Sequence, residues 1–313
     1  MNAEKGVRYY VIKVGCCGYP VSMSKYYETF CLVELNSTFY QYPRISTVTK
    51  WRREAPEKFE FTVKANQEVS HNYRLKINLA AQAFERMKKI CRVLKAHVLL
   101  IQTPASFRPN SLEDAEAFLR RMGREDLTIV WETRGPLWEN DEVRKSLEET
   151  LKELDIPHVT DPLRLMPVYT DGVAYFRLHG LGASMYYYQY TDEELRWLCD
   201  LVKPFEKLSE EVYVLFNNLS MFEDATRFKF LLQYGRFPSL TGAVGLESVK
   251  TAMGTTRYPA AKNLLMKKLG WRLVEMENGK QIRISELLKD LPPKTYKNVD
   301  EILQEMKRAS VIF

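Results

Sequence analysis

TIVWETR (128–134) decides the fold. Thr128 to Trp131 suit a buried strand, and the chain then turns at once to Glu132, Thr133 and Arg134. Seven further runs share this form: VIKVGCCG (11–18), LVELNS (32–37), FEFTVKAN (59–66), HVLLIQT (97–103), PHVTD (157–161), AYFRLHG (174–180) and VYVLFNN (212–218). Each is short and apolar, and most break at their C-terminal end into polar, chemically able residues. PHVTD is the soft member, and the stretch from Pro162 to Thr170 reads as loop. Helix-like segments separate most of the others. A buried strand followed by a helix, repeated eight times, predicts an α/β chain folded as a (β/α)8 TIM barrel, which keeps its chemistry at the C-terminal strand ends.

The intervening segments carry helical signals. Tyr73 to Leu94 has apolar residues near a 3.6 period, at Leu75, Leu79, Ala83, Met87, Ile90 and Leu94. Ser111 with Asp114 comes close to a capping box. Asp141 to Leu154 and the Thr191-Asp-Glu-Glu start both open with acidic residues, which favour the positive end of a helix dipole. Ser220 to Gln233 follows the eighth strand.

The chain has 313 residues, which suits a barrel of about 250 residues with an appendage. We divide it into a barrel over 1–234 and a basic C-terminal α+β extension over 235–313. The extension reads as short helices near Glu247–Ala252 and Pro259–Leu269, then a hairpin, WRLVEMENGKQIRIS, with a two-residue turn at Asn278-Gly279. That order is shared by a winged-helix DNA reader and by a small cap packed on a barrel. Net charge is +6 and uneven: residues 234–313 hold 14 Lys+Arg against 8 Asp+Glu, and the other 233 hold 32 of each (46−14 and 40−8). The basic excess therefore lies in the C-terminal quarter, as a polyanionic partner would favour.

Five cysteines with no zinc spacing read as buried or half-buried thiols of a reducing compartment, with Cys16 and Cys17 set in a Gly-rich turn after the first strand. The first strand begins too early to leave room for a signal peptide, and no apolar stretch reaches the ~20 residues of a membrane span. The expected location is cytoplasmic, with no membrane partner.

Side chains two apart on a strand point the same way. The pairs Glu34/Asn36, Thr62/Lys64, Leu100/Gln102, Glu132/Arg134, Arg177/His179 and Leu215/Asn217 then deliver polar groups in one phase to one barrel mouth. Glu34, Glu132 and His179 suit general acid–base work. Lys64, Arg134 and Arg177 suit a phosphate or carboxylate. Asn36, Gln102, Asn217 and Asn218 offer amides, and Tyr40, His71 and Trp138 add rings for a ligand with flat faces. Glu34, His71, Glu132 and His179 are able metal ligands, but the surrounding cations disfavour a divalent ion. His97, at the start of its strand, reads as structural.

Gly15-x-x-Gly18-Tyr19, VELNSTFY (33–40), Trp51 with Pro56, FEFTVKA (59–65), His71, Gln102-Thr-Pro104, WETR (131–134) with Trp138, FRLHG (176–180) and FNN (216–218) resemble the YecE-like family, domain of unknown function 72. The resemblance covers about residues 8–232 and implies a TIM barrel. It implies no reaction. Thr103 departs from the family's usual apolar residue before the proline. The family's barrel is similar to those of endonuclease-IV-like and sugar-isomerase-like proteins, but a chain with four His cannot reproduce the endonuclease's trinuclear zinc site. The expectation is an enzyme, hydrolase-like in chemistry, acting on a phosphate-bearing small molecule or a nucleic-acid-related substrate. The alternatives are a non-catalytic nucleic-acid-binding protein and an enzyme acting on a sugar or sugar acid. Cofactor, oligomeric state and the role of the extension stay open.

Overall fold

A computed structural model describes residues 12–309. Val11, which heads the first run, and the segment bearing on a signal peptide lie outside the described residues. The chain forms two compact units, Met1–Leu178 with Trp197–Asn217, and His179–Arg196 with Asn218–Phe313.

The first unit is the barrel. Its strands are β1 (Ile12–Cys17), β2 (Leu32–Leu35), β3 (Glu60–Lys64), β4 (Val98–Gln102), β5 (Thr128–Glu132), β6 (His158–Val159), β7 (Val173–Leu178) and β8 (Glu211–Phe216). All are parallel, in the order β6-β5-β4-β3-β2-β1-β8-β7. The soft sixth run is a strand of two residues. It still closes the ring: Thr160 bridges to Phe176, and the Arg177 N–H donates to the Thr160 carbonyl at 2.9 Å. As expected, no helix fills the stretch between β6 and β7.

Helices α1 (Met23–Thr29), α2 (Ser37–Tyr40), α3 (Ile45–Glu54), α4 (Ile77–Leu94), α5 (Leu112–Arg121) and α6 (Asp141–Leu154) lie between the strands. α4 starts four residues later than its periodicity predicts. Arg74 and Leu75 adopt left-handed φ of 51° and 57°, and that breaks the helix. Ser111 does not cap α5; a 3₁₀ turn over Pro109–Ser111 leads into it instead. α6 is capped from the residue before its acidic start, since the Asn140 side chain accepts from the N–H groups of Glu142 and Val143.

The barrel interior has three levels. At the N-terminal end, Lys13 Nζ donates to Glu60 at 2.6 Å and to Glu211 at 2.5 Å, and Tyr213 bonds both carboxylates. The middle is apolar, built on Leu32, Val98, Leu100, Val130, Tyr175 and Leu215. The C-terminal level holds the charged residues described below. Cys16 and Cys17 are strand residues rather than turn residues, and both are buried. The turn reading failed because the double Cys and flanking glycines resemble punctuation, while the register with β8 extends pairing through Cys16.

The second unit includes α7 (Asp192–Val202) up to Arg196, then α8 (Met221–Tyr234), α9 (Gly245–Met253), β9 (Ala260–Ala261), α10 (Lys262–Leu269), β10 (Leu273–Glu275), β11 (Gln281–Arg283), α11 (Ile284–Lys289), β12 (Thr295–Tyr296) and α12 (Val299–Arg308). Thr191 and Glu194 form a reciprocal capping box at the start of α7. α9 to α12 share an apolar core that includes Val249, Leu265, Val274, Leu287 and Ile302. The β10–β11 hairpin is present, but its loop differs from the expected two-residue turn. Met276 pairs with Lys280 across Glu277-Asn278-Gly279, with Gly279 at φ 78°. This is a type I turn closed by a left-handed residue, in which glycine takes the bulge position.

Gly15 is confined by its neighbours. A Cβ there would lie 2.5 Å from the Leu32 carbonyl oxygen and 3.2 Å from Leu215 Cδ2. Gly15→Ala should therefore lower unfolding free energy by about 1–3 kcal/mol, because backbone must move. Urea denaturation measures it, and an unchanged midpoint would show that the β1–β2 spacing is slack.

Candidate functional site

The C-terminal level is organised by Arg177, which reaches inward from β7 and is 0% exposed. Its Nη2 donates to Glu34 Oε1 at 2.8 Å and its Nε to Glu34 Oε2 at 3.0 Å, a bidentate pair. Its Nη1 donates to Glu132 Oε2 at 2.5 Å. Glu132 Oε1 accepts from Arg134 Nε at 2.7 Å. The Tyr175 hydroxyl donates to Glu34 Oε2 at 2.9 Å and lies 2.8 Å from Thr62 Oγ1. The network runs Thr62–Tyr175–Glu34–Arg177–Glu132–Arg134 across four strands. Burial alone would lower the pKa of Arg177, but Glu34 and Glu132 override it and hold the guanidinium charged.

Strand ends explain this convergence. Glu34 lies on β2, Lys64 ends β3, Gln102 ends β4, Glu132 ends β5 and Arg177 is one residue from the end of β7. Asn217 directly follows β8 and is half-buried, and its N–H donates to the Leu178 carbonyl at 2.8 Å.

Lys64 differs from the other cations. It is buried, yet no carboxylate oxygen among the described residues lies within ion-pair distance of its Nζ. The ammonium stands 4.0 Å from the centroid of the Phe39 ring. Burial, and then Arg177, lower its pKa from 10.5 to about 8.

His71 belongs to the same cluster. It sits on a single π turn, Glu68–Asn72, with its ring 4.8 Å from Phe39 and its Nδ1 2.9 Å from Ser70 Oγ. Burial, then Lys64 and Arg134, lower its pKa to about 4, so the imidazole is neutral at pH 7. Gln102 is buried, and its side-chain amide has no protein hydrogen bond among the described residues. Asn36 Nδ2 donates to the Cys17 carbonyl at 3.1 Å. Tyr40 is 71% exposed, with its ring 5.1 Å from Phe39.

Other predicted residues have structural partners. Trp138 is buried, donates its indole N–H to the Phe107 carbonyl at 2.8 Å and packs on Trp131, so it braces the wall behind Glu132. His179 and Asn218 fall in the second unit. The His179 ring is 6.0 Å from Tyr186, and Asn218 Nδ2 donates to the Tyr188 carbonyl at 2.8 Å and to Asp224 at 2.7 Å. His97 is exposed at the N-terminal end of β4. His158 is buried on β6 and lowered by burial to about 3, with Nε2 at Thr133 Oγ1 and Nδ1 accepting from the Val168 N–H. Thr103, the family departure, lies 3.2 Å from the Trp131 indole nitrogen through its hydroxyl.

Two participants went unread in the sequence. Tyr175 shares the inward phase of Arg177, two residues earlier, which is the signal that could have found it. Cys17 lies beside Glu34 in the β1–β2 register; burial, then Glu34, push its thiol well up, so it holds no thiolate for redox chemistry. Among the described residues no group of three or more His, Cys, Asp and Glu could hold a metal ion. No helix of the described residues is long and apolar enough to cross a membrane.

Removing Arg177 leaves two carboxylates buried without their shared cation. Arg177→Met should lower unfolding free energy by about 3–5 kcal/mol. Adding Glu34→Gln and Glu132→Gln should restore part of that loss. Denaturant titration of both variants decides the matter; a single variant as stable as wild type would show that the network is not the frame of the mouth.

The family described as "Protein of unknown function DUF72" matches residues 18–239. A DUF72 family protein from Enterococcus faecalis V583 is similar in structure, with a TM-score of 0.61 and 23% identity over 71% of this chain and 97% of that one. A DUF72 family protein from Thermotoga maritima MSB8 is similar with a TM-score of 0.56 and 23% identity, over 72% of this chain and all (100%) of that one. At these identities the two structures speak for the fold alone. No curated protein matches the chain. With its ring of eight parallel strands and a match over most of its length, this chain belongs to the DUF72 family.

Proposed function

We propose that the barrel mouth is the active site of an enzyme acting on a phosphate-bearing substrate, with Lys64 as the anchor for the anion. One observation carries this reading: the Lys64 ammonium is buried without an ion-pair partner among the described residues. Burying an uncompensated charge opposes folding, and a substrate anion would offset that cost.

The proposed roles follow from the hydrogen bonds and burial of each residue. Both oxygens of Glu34 are bound by Arg177, so Glu34 positions Arg177 and keeps it charged. Glu132 orients Arg134 at the rim. Gln102 offers an unengaged amide to a hydroxyl or phosphate oxygen. Proton transfer falls to Lys64, poised near neutral pH, and to the neutral His71 beside it. This shifts the acid–base assignment away from the carboxylates, which serve electrostatics.

Lys64 is protonated below about pH 8, so anion affinity should be highest there and fall as pH rises through that value. Phosphate binding followed by calorimetry from pH 6 to about 10 tests this; a flat profile would remove Lys64 from the anchor role. The depressed pKa also has a stability consequence. Between about pH 8 and 10.5 the unfolded chain binds the proton that the folded chain has released, so this group's contribution to stability rises with pH across that window.

Lys64→Met should accordingly stabilise the unliganded protein by about 1–3 kcal/mol and abolish the thermal shift given by phosphate or a nucleoside monophosphate. In wild type the same ligands at about 100 Kd should add about 2.7 kcal/mol. Turnover of a panel of phosphomonoesters and nucleotides should vanish in the variant. A variant that is destabilised, or that keeps ligand response and turnover, would sink the proposal.

A further inference from the structure

The second unit contains a pocket of its own, about 470 Å³, lined by residues that the barrel mouth does not use. That volume suits a small organic ligand or one unit of a polymer. Its walls carry Tyr187, Tyr188 and Trp271, two cations, Lys267 and Arg283, and the hydroxyls of Ser184 and Ser285. No acidic residue lines it. All of these residues belong to the same compact unit.

The fixed and free groups can be separated. Arg283 stands 4.2 Å from the Tyr188 ring centroid, and its Nη1 serves the Trp271 carbonyl at 2.8 Å and the Gln189 carbonyl at 3.3 Å. Arg283 and Tyr188 therefore form a braced wall that keeps a positive charge at the rim. The Tyr188 hydroxyl is engaged by Glu194. In contrast, Tyr187 is 45% exposed, and Lys267 is exposed with no ion pair among the described residues. The Trp271 indole N–H is buried and has no acceptor among the described residues, so Trp271 offers the pocket its ring.

Flat faces and two cations, with no carboxylate in the lining, match a nucleobase with its attached phosphate. Stacking on aromatic rings is tolerant of base identity, and cations beside the stack follow the backbone. The charge distribution agrees, since the whole net +6 resides in residues 234–313. We propose that this pocket binds a nucleobase and its phosphate as presented by single-stranded nucleic acid. The inference is independent of the reading of the barrel mouth.

The test uses the full chain with a labelled twelve-residue oligothymidylate, followed by fluorescence anisotropy and by tryptophan emission. Wild type should bind, with affinity falling as salt rises and a log–log slope of roughly −0.7 for each phosphate engaged. Tyr187→Ala and Lys267→Glu, both at exposed positions, should each weaken binding at least about tenfold, and Lys267→Glu should also flatten the salt slope. Lys58→Glu, which reverses an exposed charge of the barrel unit outside its mouth, should bind the strand as wild type does. Thymidine monophosphate binding as tightly as the strand, with the same dependence on Tyr187 and Lys267, would assign the site to free nucleotides instead of strands. Three results would overturn the proposal: no binding of either ligand, binding unchanged in both pocket variants, or binding weakened as much by Lys58→Glu as by Lys267→Glu.

Discussion

A fully buried guanidinium between two carboxylates is the constraint around which the barrel's upper level is built. Arg177 cannot be desolvated without Glu34 and Glu132, and neither acid can be buried without Arg177. Three strands, β2, β5 and β7, are thereby tied through side chains as well as through the backbone ladder. Burial first, and then Arg177 for Lys64 and Lys64 with Arg134 for His71, lower the pKa of both neighbours.

The two ends of the barrel use the same residue types to opposite effect. At the N-terminal end Lys13 faces Glu60 and Glu211, so the carboxylates outnumber the cation and every donor is engaged. Its pKa is raised, with the hydrogen bonds from Glu211 and Glu60 outweighing the lowering by burial. At the C-terminal end Lys64 is buried with no ion pair among the described residues. One lysine of the barrel interior is thus matched by carboxylates and the other is not.

The second unit has an apolar core of its own, enclosed by its hairpin and short helices, and the basic excess of the chain lies largely within it. The tyrosine run at 186–188 belongs to this unit, although the barrel strand β7 lies just before it in the sequence. Local pattern cannot assign such a loop, because the residues that cover it come from 266–285, about eighty positions downstream.

The eight strands, their parallel order and the inward phase of Glu34, Lys64, Glu132 and Arg177 were legible because strand period and barrel closure are local rules applied repeatedly. The two-residue β6 was legible only as a weak run; closure rests on one bridge at Thr160 that no local pattern encodes. Which acids are spent on which cations was likewise invisible, since a pairing such as Glu34 with Arg177 spans 143 residues and depends on rotamers set by the closed ring. The sequence by itself thus determined where charged chemistry gathers. Only the tertiary structure decided which of those charges stay unmatched, because the balance of burial and pairing exists only when all the strands are in place.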